Sequence, residues 1–232
     1  MFCEHCGASK DGATACAACG YSSAAGPAPE LLNRVYEAAN DAGATLLRLG
    51  ANPAGALQSA FASLGERRAL GAGTALGVFS AFATMVAAWI GSMRIGIGFQ
   101  PRVLLGALLM GVVLFASLTA VGAAGRKLLR GSGTLGADVF LAGVALLPIA
   151  ILLLVTSMMG GRNFEVIAIV AVLSWTYLLC ILYVGVTRLT GIAEPSSPPL
   201  IAAMLLLSLW LSKVVLVAVM GGFNRSDPSS LD

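Results

Sequence analysis

The sequence predicts an all-α polytopic membrane protein with five transmembrane helices, preceded by a small zinc-ribbon head and amphipathic juxtamembrane helices. Two observations carry this. Of the 232 residues, 58% are hydrophobic and only 11% charged, and the mean hydropathy of +0.89 lies far above that of soluble domains. The first nineteen residues also hold two CxxC pairs, Cys3/Cys6 and Cys16/Cys19. The net charge of +3 leaves no broad electrostatic footprint for nucleic acid or an acidic substrate.

The head, residues 1–22, has nine residues between the second and third cysteines and a glycine, Gly7 or Gly20, directly after each pair. This is a zinc-ribbon pattern. Two thiolates of one CxxC grip the same ion, and the glycine lets the backbone turn so that N–H groups face the sulfurs. Cys3, Cys6, Cys16 and Cys19 are therefore the expected ligands of a structural Zn2+, which a segment this short needs in order to fold. Two disulfides or free thiols are the alternative, and rubredoxin-like iron uses the same ligand set; a reducing compartment disfavours the disulfides. His5, the chain's single histidine, reads as a solvated knuckle residue because four thiolates already close a tetrahedral site. Lys10 is the only Lys or Arg among the first thirty residues, against Glu4, Asp11 and Glu30. Nucleic acid is thus not an expected partner, and a cytoplasmic protein is.

Residues 23–30 read as a flexible Ala/Gly/Pro linker. In 31–49 the apolar positions Leu31, Leu32, Val35, Ala39, Ala42 and Leu46 step by three and four, with Arg34, Glu37, Asn40 and Asp41 between them. After a break at Asn52-Pro53, Leu57, Ala60, Phe61 and Leu64 share one face. These pieces, within 31–69, are expected either to lie on the membrane surface or to pack on the protein's own membrane domain.

The membrane domain, 70–223, contains five windows of the length a bilayer requires: 70–93, 103–125, 139–159, 166–187 and 200–223. A short tail, 224–232, follows. No basic patch and apolar core of a signal peptide opens the sequence, so the N-terminus is expected to stay in the cytoplasm. Charge placement agrees. With the N-terminus inside, the inner flanks hold Arg67, Arg68, Arg126, Lys127, Arg130 and Arg188, and the outer flanks Arg94, Arg102, Arg162 and Arg225. The C-terminus is then outside.

Ionisable groups within spans are functional candidates, because burying them in lipid is costly. Lys213 is the one charge inside a window, and Glu165, just before the fourth, is its expected partner in a contact or small wet cavity; Asp138 should lie at the inner surface. Pro148 is expected to kink the third span. Gly73 and Gly77 form a GxxxG in the first, where close crossings would build the monomer or a homo-oligomer. Cys180 reads as a small apolar core residue. No Ser-His-Asp set, HExxH or phosphate-binding loop is present, which points away from an enzyme.

The segment NPAGALQSAF, 52–61, followed by five spans resembles the Yip (Ypt-interacting protein) family, as does 133–154, where a Gly-rich lead enters a span with an internal proline. The resemblance covers residue 52 to about 222. It implies a five-span membrane domain, which in several bacterial members carries an N-terminal zinc ribbon. The Rab-type GTPase partners of eukaryotic relatives are not implied, because the Ala/Gly-rich usage and zinc head look bacterial and no Rab-binding residue is carried over. Two functions compete on this reading. One is a membrane scaffold or adaptor recruiting a cytoplasmic protein; the other is a small transporter or channel component using Lys213 in a polar pathway.

Overall fold

The computed structural model describes residues 27–96, 98–160 and 163–224, and among them there is no strand. The four-cysteine head, the first half of the linker and the tail beyond Asn224 lie outside these residues. Six α-helices follow one another: α1 (Pro27–Ala51), α2 (Pro53–Arg94), α3 (Pro101–Leu128), α4 (Leu135–Met159), α5 (Phe164–Val184) and α6 (Ser197–Asn224). A π-helical turn, Gly185–Leu189, extends α5, and a 3-10 turn, Glu194–Ser196, leads into α6. Five of these helices are long and apolar enough to cross a membrane.

Local chemistry explains the boundaries. α1 starts at Pro27, inside the stretch read as linker, since proline's fixed φ suits a first helical turn. Asn52 separates α1 from α2: its side chain accepts the N–H of Gly55 at 2.9 Å, an N-cap reinforced by Pro53 at the first helical position. Within α2 the helix breaks at Gly65, whose φ of 70° and ψ of 168° fall in a region essentially closed to residues with a Cβ. The juxtamembrane piece and the first span are thus two helices joined at one glycine. α4 is capped by Thr134 and ends at Gly160 in the left-handed conformation, and it continues through Pro148 as a single helix.

α4 is the centre of the bundle. From Gly136 to Pro148 nearly every residue is buried, while its last turns emerge at Ile151 and Met158. α2 and α5 pack on α4, and α3 packs on both α2 and α6. Small residues allow these approaches. A Cβ on Gly73 would lie 2.5 Å from the Cα of Phe140, one on Gly143 would strike the carbonyl of Gly73, and one on Gly111 would lie 2.6 Å from the Cα of Ala81. Gly77 sits under the ring of Phe115. The GxxxG of the first span is therefore used within this chain, against α4 and α3.

The outer surface is apolar. Val78, Phe82, Ile169, Val172, Leu206 and Val217 all stand exposed on the long helices. A contiguous coat of this kind is stable against lipid tails and not against water.

Of the two expected destinations for the juxtamembrane pieces, α2's first segment takes the protein's own core. Leu57 and Ala60 are buried, Leu64 packs on the same core, and Phe61 meets Phe140 with ring centroids 5.8 Å apart. α1 lies on α2 through a face that shares Ala42 with its apolar spacing but is turned away from Val35 and Ala39. Asp41, Ala42 and Thr45 are buried, whereas Val35 and Ala39 are exposed. The reason is Asp41, whose carboxylate takes two hydrogen bonds from Arg68, at 2.6 and 2.9 Å, and so turns that face of α1 towards α2.

Candidate functional site

Polar groups inside an apolar bundle must find partners or leave an unmet hydrogen bond, so they mark where the fold departs from pure packing. At one end of the bundle, α3 closes with Arg126 in its last turn and α4 opens with Asp138 in its first, a favourable placement for each against the helix dipoles. The connecting loop folds back tightly. A Cβ on Gly131 would lie 2.5 Å from the carbonyl oxygen of Thr190, and one on Gly133 would lie 2.6 Å from that residue's Cα. The N–H of Gly133 donates to the carbonyl of Thr190 at 3.0 Å. Held this way, Arg126 Nε donates to Asp138 Oδ2 at 2.9 Å, with 13% and 1% of the two side chains exposed. Asp138 Oδ1 has no partner. The carboxylate expected at the inner surface stands in the first turn of α4 as the buried half of an ion pair.

Glu66, α1, the α3–α4 loop and the π turn share this end, for Gly136 abuts the backbone of Glu66 and Gly71 lies against Ala38. Arg94 and Gly160 share the opposite end, where the side chain of Arg94 approaches the α4 cap. The alternation expected of successive spans is thus present in the geometry.

Lys213 and Glu165 are both exposed, and no ion pair joins them. Their helices explain this: α5 packs on α4 and α6 on α3, so the two touch only slightly. Cys180, expected in the core, is exposed on α5. Cys3, Cys6, Cys16 and Cys19 lie outside the described residues; within those residues no cluster of three or more His, Cys, Asp or Glu is placed to hold a metal.

Reading the sequence alone missed the Arg68–Asp41 and Arg126–Asp138 ion pairs and a further polar feature. Between α2, α3, α4 and α6, near the middle of each, lies a cavity of about 170 Å³ whose lining includes Ser80, Thr84, Gly111, Ala150 and Ser212. The hydroxyls of Ser80 and Ser212 are buried without partners. Leaving a hydroxyl so costs about 1–3 kcal/mol, so something other than packing is expected to offset it.

Fold and site together define a helical protein with five segments able to span a membrane and a largely apolar interior. No family model, curated protein or solved structure matches this chain.

Proposed function

We propose that this protein is a non-enzymatic membrane scaffold or adaptor of Yip-like type, with a structural zinc ribbon that recruits a cytoplasmic protein. The ribbon rests on the spacing of Cys3, Cys6, Cys16 and Cys19. The five long apolar helices and the Asn52-Pro53 break ahead of the first support the Yip-like reading. A bacterial plasma membrane, with the N-terminus inside and the C-terminus outside, is the setting this reading implies.

The observation that favours a scaffold over a transporter is the use made of charge. Arg126 and Asp138 pair with one another at a helix junction, Arg68 and Asp41 fasten α1, and Lys213 stands on the outer face of α6 instead of lining an interior path. A translocation route ordinarily gathers several polar groups at mid-membrane around discontinuous helices.

Crosslinking and affinity purification from the native membrane, comparing the full chain with a Cys3→Ser, Cys6→Ser variant, tests the proposal. The variant should lose bound zinc and the co-purifying cytoplasmic protein while remaining membrane-inserted. An unchanged set of co-purifying proteins would refute recruitment by the head, and solute flux dependent on Lys213 would favour the transporter.

A further inference from the structure

Hydroxyls on membrane-spanning helices ordinarily bond back to a carbonyl three or four residues earlier, because hydrocarbon offers no other acceptor. Thr74, Thr84, Thr119, Thr156 and Thr176 do so at 2.7 to 3.0 Å. Ser80, Ser208 and Ser212 do not. They are 3%, 1% and 5% exposed, and each Oγ lacks a partner.

These exceptions converge on one place. Ser80 and Ser212 line the cavity of about 170 Å³, and Ser208 lines a neighbouring one of about 70 Å³. The two share Leu114, Leu146, Ile149 and Leu209 as walls. An apolar cavity of roughly 150 Å³ accommodates benzene, so a small organic molecule fits here. The larger cavity is only partly enclosed by the helices that form it.

Its chemistry narrows the occupant. No charged side chain lines either cavity, so an ion would be buried without a counter-charge. Water, which takes about three hydrogen bonds when buried, would find in the larger cavity only the two free hydroxyls of Ser80 and Ser212, since Thr84 already donates to the Ser80 carbonyl, and would leave the remaining apolar volume empty. A pure hydrocarbon would leave the serines unmet. We propose that this is a binding site for a neutral amphiphile drawn from the bilayer, a short hydrocarbon body carrying one hydroxyl or carbonyl oxygen directed at Ser80 and Ser212.

Photolabelling of the full chain in phosphatidylcholine vesicles with azioctanol, a diazirine derivative of octanol, tests this. Adducts should concentrate on the cavity walls at Leu146, Ile149, Ala150 and Leu209, and octanol should suppress them more strongly than octane. Ser80→Ala with Ser212→Ala should weaken suppression by octanol about five-fold for each hydrogen bond lost, leaving octane unaffected. Ala150→Phe, which fills the cavity, should abolish the wall adducts; should it fail to fold, the double serine variant, which removes only two oxygen atoms, carries the test. Adducts spread over Val78, Leu206 and Val217 in proportion to their exposure would overturn the proposal. So would octane competing as well as octanol.

Discussion

At the scale of single residues, the bond from Arg126 Nε to Asp138 Oδ2 is the interaction whose loss the fold should feel most. Both side chains are largely removed from solvent, and one carboxylate oxygen already lacks a partner. Removing either member strands a buried charge, at a cost of about 3–5 kcal/mol, whereas replacing both with apolar groups of similar size is often nearly neutral. Arg126→Met and Asp138→Leu should therefore each lower the unfolding midpoint in detergent sharply, while the double variant recovers most of the loss. Equal and additive losses would mean that the residues do not depend on one another. The sequence reading did not anticipate the pair, although part of its signal was there. Thr134 as an N-cap places Asp138 in a first turn, and a loop of glycines returns that turn to the end of the preceding helix. What could not be read was burial, because the depth of that junction is set by Thr190, which is distant in sequence. The anticipated contact of Lys213 with Glu165 failed for the complementary reason. Residue chemistry suggested the pair, but only helix order decides which faces meet.

At the scale of elements, the crossing of α2 and α4 depends on backbone against backbone. Gly143 faces the carbonyl of Gly73, and Gly73 faces the backbone of Phe140, so neither neighbour can yield as a flexible side chain would. Gly73→Leu or Gly143→Leu should force the helices apart and sharply lower the yield of folded protein. Gly91→Leu, on the same α2 helix with nothing within 4 Å, should be tolerated. Size-exclusion profiles of the three variants provide the measurement, and equal behaviour would refute the close crossing. Gly65 makes a separate demand. Its conformation is open to glycine alone, so Gly65→Ala should cost about 1–3 kcal/mol or straighten the junction. Disulfide trapping between cysteines placed at Ala38 and Gly71 would detect straightening as a loss of crosslink. The spans were plain from the sequence because five windows are apolar over the length of a bilayer. The break at Gly65 was not, since glycine is frequent throughout this chain and nothing in its neighbours singles it out. α1 shows the same limit, as its apolar spacing included Val35 and Ala39, which are exposed, while the ion pair of Asp41 turns Asp41, Ala42 and Thr45 inward.

At the scale of the whole molecule, the geometry sorts the basic residues into two groups. Arg68 and Arg126 belong to the end that holds α1 and the α3–α4 loop, and Arg94 belongs to the end that holds the α4 cap. Orientation then follows from whichever end retains more Lys and Arg during insertion. With the α1 end inside, a fluorescent protein fused after Leu128, behind two spans, should fluoresce in the cytoplasm. The same fusion after Asp232 should be dark, and alkaline phosphatase there should be active. A fluorescent C-terminal fusion would overturn this topology. The bias is small enough to be reversed without disturbing packing. Lys127 and Arg130 are exposed and make no ion pair with Asp138, so changing both to Gln should leave the bundle intact. It would also reduce the inner set to four residues, Arg67, Arg68, Arg126 and Arg188, matching the four of the outer set. Fluorescence from the C-terminal fusion should then rise as part of the population inserts the other way. If it stays dark, the segment ahead of the first span, and not the basic residues beside Arg126, fixes the orientation.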